Sequence, residues 1–215
     1  MNPYTVYPAS TVIVSPHYYG SIDFYALVAA HEHSIVDYSA RYDKRMKSTH
    51  RTLIADVNGL LSLTMPLSRP DGTRTRALTW RDMKISSHGE WWNVHRVALE
   101  SAYGRTPFFE FYIDRFRPVL VKTVIDDFPT LEDVDRYIDR NIRELLNLPQ
   151  PLEVTRGEIT DMRRSVPPAH AARPYYQVRA SKLGFIDGLS ILDILFNMGP
   201  EASLWLRDHV HRHYK

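Results

Sequence analysis

The side chains able to move a proton or hold an anion fall in three stretches of the chain. In "GEWWNVHRVALESAYGRTPFFEFY", His95 is a candidate general acid or base, because imidazole titrates near neutrality and burial would tune it. A histidine hydrogen-bonded inside a core is the plain alternative. "DYSARYDKRMKSTHR" gathers Lys44, Arg45, Lys47, His50 and Arg51, enough positive charge to hold a phosphate or carboxylate if it converges. Asp37 at its head is a candidate base or a partner for Arg51; the alternative for the whole run is a solvated loop face. The third stretch, "SPHYYGS", places His17, Tyr18 and Tyr19 after a β-branched run, where ligands of open α/β sheets bind beside a helix N-terminus. An ordinary turn with packed tyrosines is the competing reading there.

Several chemistries are excluded. "SPHYYGS" has a single glycine, Gly20, so no phosphate loop or dinucleotide fingerprint follows the first strand. No serine sits in a G-x-S-x-G elbow. The chain has no cysteine, which removes disulfides, iron-sulfur clusters and thiol nucleophiles together and fits a reducing, cytoplasmic setting. The spacings "HEH" and "HVHRH" match no zinc motif, so no metal is predicted, and the residues name no cofactor.

The elements that would position these residues can be read from periodicity. "STVIVSP", the helical "IDFYALVAAHEH" and "HSIVDYS" predict a βαβ unit over Thr11 to Ser39 with parallel strands. "RTLIADVNGLLSLTMPLS" predicts an antiparallel hairpin turning at Asn58-Gly59, followed by a loop with a turn at Asp71-Gly72 and a short strand in "RDMKIS". Trp91, Val94, His95, Ala98, Leu99, Ala102 and Tyr103 fall on one helical face, with Gly104 as the C-cap. From Pro107, "TPFFEFYIDRFRPVLVKTV" reads as a helix bent at Pro118. "TLEDVDRYIDRNIRELLNL" predicts a helix capped by Thr130, facing inward through Leu131, Val134, Ile138, Ile142, Leu145 and Leu146. "LEVTRGEI" predicts one more strand, "LSILDILFNMGPEASLWL" a helix ended by Gly199-Pro200, and "RDHVHRHYK" a polar exposed tail.

At 215 residues, without repeat, linker or low-complexity block, the expectation is one mixed α/β domain over 1–215, with an N-terminal βαβ unit, an antiparallel hairpin and a helical C-terminal half. Its 27 basic and 25 acidic residues are interspersed, which argues against nucleic acid as a partner. No apolar run reaches the ~20 residues of a membrane span and no signal segment opens the chain, so a soluble cytoplasmic protein is expected.

The aromatic stretch resembles the WbqC-like protein family of bacteria, in which a tryptophan, a histidine, "SAY" and "PFFE-Y" recur in this order. "YGSIDFYALV", "DVNGLLSLTMPL" and "YYQVRASKLGFIDGLSILDILFNMGPEA" extend the resemblance over nearly the whole chain. Matching motif positions are held by Tyr19, Asp37, Lys47, Arg51, His95, Tyr103, Pro107, Phe108, Phe109 and Asn197. The chain departs from the pattern at Arg51-Thr52-Leu53, where Arg-Asn-Arg is anticipated, at Gly188, where asparagine is anticipated, and at Arg179, where an aromatic residue is.

The resemblance implies a role in making or decorating bacterial surface polysaccharide such as O-antigen. The expected activity is therefore a transferase, of acyl or aminoacyl groups, acting on an amino sugar that is nucleotide-linked or lipid-linked. In that reading His95 and Asp37 carry the proton chemistry, Lys47 and Arg51 hold phosphate, and Tyr19, Trp91 and Tyr103 stack on the substrate. The alternative is a non-enzymatic binding or assembly protein of the same pathway, with the aromatic helix as core and the basic loop as a partner surface.

Overall fold

The computed structural model describes residues 7–70, 77–153, 157–165 and 173–214. Its first strand, β1 (Tyr7–Val14), leads through a turn into α1 (Ile22–Ala29) and back along β2 (His31–Val36). β1 and β2 are parallel, pairing Thr11 with His33 and Val14 with Val36, so the βαβ unit is present. The second strand starts at His31, two residues earlier than the periodicity placed it. "HEH" is therefore strand and not the end of a helix.

β3 (Arg51–Asp56) and β4 (Gly59–Thr64) form the antiparallel hairpin, Asp56 opposite Gly59. Its two connecting residues are Val57 and Asn58, one position before those predicted, and only Gly59 of the predicted pair takes a positive φ. The predicted turn at Asp71-Gly72 lies outside the described residues. "RDMKIS" contributes only the two-residue β6 (Lys84–Ile85), which pairs with β5 (Leu67–Ser68), because a 3-10 turn at Trp80–Asp82 capped by Thr79 occupies its first half.

Helix α2 (Trp91–Tyr103) buries Trp91, Trp92, His95, Leu99, Ala102 and Tyr103 and ends at Gly104. Val94, read as inward-facing, is 56% exposed, and Trp92 takes an inward place instead. The segment predicted as one bent helix is broken into α3 (Phe109–Tyr112), two 3-10 turns and α4 (Val124–Asp127). Its aromatic and aliphatic residues have no steady 3.6 period, and buried Phe109, Ile113, Phe116, Val119 and Val124 reach the core only by repeated changes of direction.

α5 (Leu131–Leu146) is the regular helix the spacing predicts, its Thr130 and Asp133 forming a capping box. It carries a charged interior as well. Arg143, fully buried, donates to Asp139 (2.6 Å), to the Ser34 hydroxyl of β2 (2.8 Å) and to the Pro149 carbonyl (2.8 Å). The Tyr25 hydroxyl of α1 donates to Asp139, and the Tyr38 hydroxyl to Asp135. These bonds fasten α5 to the βαβ unit and offset part of the cost of burying its charges, although Arg143 Nη2 and Asp135 Oδ1 make no hydrogen bond among the described residues.

β7 (Glu158–Asp161) takes the other edge of β1 in parallel register, Thr11 opposite Ile159, giving the strand order β2-β1-β7. Of the stretch "LEVTRGEI", residues 154–156 lie outside the described residues, and the strand runs two residues beyond its end. After the short α6 (Ala180–Leu183) come α7 (Ile191–Met198) and α8 (Glu201–His213). Gly199-Pro200 does stop α7, but the chain resumes as helix through the supposed tail. Trp205, Leu206, His209 and Val210 are buried, with His209 stacked on Trp205 at 5.0 Å. The many charges of "RDHVHRHYK" hid this buried stripe. The architecture is mixed α/β, a parallel sheet with antiparallel hairpins and abundant helix. Among the described residues no helix is long and apolar enough to cross a membrane.

Candidate functional site

A cleft of about 810 Å³ opens at the C-terminal end of β1. Its walls are the β1–α1 turn, the loop before β3, the start of β3 with Ser62 opposite, the segment after β7 and the approach to α7. The turn is built tightly. The Ser21 hydroxyl caps α1 by accepting from the Phe24 N–H (3.1 Å), and the Tyr18 N–H donates to the Ser48 carbonyl (2.9 Å), tying the turn to the basic loop. Gly20 must be glycine here: a Cβ would lie 2.6 Å from the Phe24 ring.

Tyr19 is in the left-handed region (φ 44°), a strained conformation for a bulky side chain that costs roughly 1–2 kcal/mol. Its carbonyl is held by two hydroxyls, Thr52 Oγ1 and Ser190 Oγ, each at 2.9 Å. At Thr52, where the resemblance anticipated asparagine, the side chain thus braces the turn. Leu53, 40% exposed where an arginine was anticipated, lines the cleft as an apolar patch.

The cations converge unequally. Arg45 is matched by Asp43 at 2.8 Å. Arg51 spends only its Nε, on the Thr64 hydroxyl (3.0 Å), and no ion pair is made among the described residues by Lys47, Arg51 or Arg164, all of which line the cleft. Their field is felt nearby: burial, then the charges of Lys47 and Arg51, lower the His50 pKa to about 4.

His17 also lines the cleft. Its Nδ1 lies 3.0 Å from the Ser15 carbonyl, and since a carbonyl only accepts, the proton is on Nδ1 and Nε2 keeps its lone pair. Burial lowers its pKa to about 4, so the ring is neutral at physiological pH. Sequence reasoning placed His17 in this turn without giving it a role. Arg164 left no local signal, because only the pairing of β7 with β1 brings it here.

Of the predicted site residues, Tyr19, Lys47 and Arg51 line the cleft. His95 and Trp91 stand one layer behind. The Tyr18 hydroxyl is 2.8 Å from His95 Nδ1, and the ring also hydrogen-bonds the Thr64 backbone, so Nδ1 accepts from Tyr18. Burial lowers the His95 pKa to about 4. Trp91 packs edge-on against His95 (5.3 Å) and donates Nε1 to the Ser86 carbonyl. Thr64 thereby joins Arg51, through its hydroxyl, to His95, through its backbone.

Tyr103 and Asp37 are elsewhere. Tyr103 sits eight residues, roughly 12 Å, along α2 from His95; its ring packs on Phe196 and its hydroxyl faces Asp193, a buried carboxylate that accepts from Tyr175 and Gln177. Asp37 pairs with Arg163 (2.7 Å), not with Arg51, and accepts from the Ser39 and Ala40 N–H groups. Burial would raise its pKa, but the hydrogen bonds from Ser39 and Arg163 outweigh it and the pKa is lowered. No grouping of three His, Asp or Glu side chains suited to a metal ion occurs among the described residues.

The WbqC-like protein family model matches residues 15–165, a span that holds every cleft side chain from His17 to Arg164, and the chain belongs to that family. No curated protein and no solved structure matches it.

Proposed function

We propose that this WbqC-like protein is a transferase of bacterial surface-polysaccharide synthesis that moves an acyl or aminoacyl group onto the amino group of a phosphate-bearing sugar, bound in the cleft at the end of β1. The observation that carries this reading is the convergence of Lys47, Arg51 and Arg164, without carboxylate partners among the described residues, on the turn that holds His17. Arg51 keeps both terminal nitrogens for a phosphate, Lys47 adds a point charge, and the N-terminus of α1 favours an anion at the same place. In the transfer, the sugar amine attacks the acyl carbonyl, its proton passes to the lone pair of His17 Nε2, and the donor's leaving group departs with the bonding electrons. His95 is a positioning residue in this scheme, holding Tyr18 against the cleft wall.

A binding protein without catalysis is the second reading. It is favoured by His95 and Asp37, whose polar atoms are already engaged by Tyr18, Thr64 and Arg163. Calorimetry with amino-sugar 1-phosphates, followed by turnover with acyl-thioester and aminoacyl donors, separates the two. The transferase reading expects Arg51→Ala to weaken sugar-phosphate binding about tenfold. It expects His17→Gln to lower turnover at least a hundredfold with affinity little changed. Binding without turnover for any donor supports the second reading, and no binding of sugar phosphates overturns both.

A further inference from the structure

A second compartment, of about 780 Å³, adjoins the cleft. The two share a ridge formed by Asp43, Arg45, Met46, Arg164 and Ser165, so Arg45 and Arg164 face both. Beyond the ridge the outer compartment is lined by Arg41, Tyr42, Asp161 and Arg163. Arg163 is neutralised by Asp37 and Asp161, and Arg45 by Asp43, which leaves Arg164 on the ridge and Arg41 outside it as cations without an ion pair among the described residues.

We propose that the two compartments take one ligand, a nucleoside diphosphate-linked sugar. Its diphosphate lies across the ridge at Arg164, its sugar reaches the inner cleft beside His17, and its nucleoside occupies the outer compartment. Size, charge and polarity each point this way. Two adjoining spaces, each within the range of ordinary ligand sites, suit a ligand of two polar parts joined by a narrow anionic link. Arg164, which faces both spaces without an ion pair among the described residues, meets that link from either side. The outer walls carry arginines, carboxylates and the half-buried Tyr42 ring, groups that pair with ribose hydroxyls and base edges and stack on a base. A polyprenyl diphosphate, the other carrier of activated sugars, would place a long hydrocarbon tail against these charges at a desolvation cost.

This inference rests on the cleft being a sugar-phosphate site and is tested so that the two can fail separately. Calorimetry on the full chain compares the diphosphates of uridine, guanosine, cytidine, thymidine and adenosine with the matching monophosphates, inorganic diphosphate, farnesyl diphosphate and glucosamine 1-phosphate. One nucleoside diphosphate is expected to bind about tenfold or more tighter than both its monophosphate and inorganic diphosphate, the size of one charge-assisted contact. Arg164→Ala should remove most of that margin, and Arg41→Ala, outside the inner cleft, should weaken the nucleotide several-fold while leaving glucosamine 1-phosphate within about twofold. Farnesyl diphosphate binding tighter than every nucleotide overturns the nucleoside assignment in favour of a lipid carrier. Nucleotides binding no tighter than inorganic diphosphate overturn it while an Arg51-dependent glucosamine 1-phosphate site stands. Binding of neither nucleotide nor sugar phosphate removes both. Arg41 and Arg164 are surface side chains, and unchanged thermal unfolding of the two variants is the control for folding.

Discussion

The hydroxyl of Tyr18 and Nδ1 of His95 are 2.8 Å apart, with both side chains almost wholly buried. Each satisfies the other in a place water does not reach. Tyr18→Phe leaves a buried acceptor alone and is expected to cost about 1–3 kcal/mol in urea unfolding. His95→Ala orphans the phenol and opens a cavity, for about 2–4 kcal/mol. The double variant should cost less than the sum of the two, and strict additivity would show that the bond contributes nothing.

Acid should weaken the fold through the buried histidines. His17 and His95 have pKa values lowered to about 4 by burial, against 6.5 in an unfolded chain. Between those values the unfolded chain binds more protons, so stability rises with pH. The contribution is fully present above 6.5 and is lost as pH falls toward 4, on the order of 3 kcal/mol for each histidine. Buried Asp135 and Asp193, whose pKa values burial raises, act in the opposite sense over part of this window. The clean measurement is therefore a difference: unfolding free energy against pH for the wild type and for His95→Gln. A shallower slope in the variant is expected, and parallel curves would contradict a neutral buried His95.

Asp37 tests a different distinction. Its carboxylate accepts from Ser39, Ala40 and Arg163, the ion pair being partly exposed. Asp37→Asn is expected to cost about 1 kcal/mol and to leave sugar-phosphate affinity within about twofold. If turnover vanished while thermal stability stayed unchanged, Asp37 would be a base and not a brace.

Arg143 is a fully buried charge away from the cleft. Replacing it with methionine strands the Asp139 carboxylate in the core, an expected loss of about 3–5 kcal/mol by chemical denaturation. Removing both charges, as in Arg143→Met with Asp139→Leu, should recover a large part of that loss. A double variant as unstable as the single one would assign the effect to the bonds with Ser34 and Pro149 instead.

How far the sequence foretold these features depends on how local their causes are. The parallel βαβ unit, the Thr130 cap and the β3–β4 hairpin follow from patterns within a dozen or so residues, and all three are present. The broken run from Pro107 to Asp127 and the inward turn of α8 are set by what the chain packs against. So is the exposure of Val94, which its spacing placed inside. For the cleft, Tyr19, Lys47 and Arg51 were legible as an aromatic turn and a basic loop flanking one strand end. Arg45 was legible in the same basic run, but Arg164 was not, since it arrives by way of β7, and the partner of Asp37 proved to be Arg163, 126 positions away.

The place of β1 in the sheet also bears on synthesis. Both its edges are hydrogen-bonded, but the second neighbour, β7, pairs Ser10 with Glu158, almost 150 positions later. At ribosomal speeds of about 5–20 residues per second, one edge of β1 stays open on the order of ten seconds after its own residues appear. Until then such an edge, on a strand whose Val12 and Val14 are buried in the finished fold, presents unpaired backbone groups to which another chain can add. The same delay leaves the cleft incomplete until late, since Arg164 follows the strand that closes that edge and Ser190 comes later still.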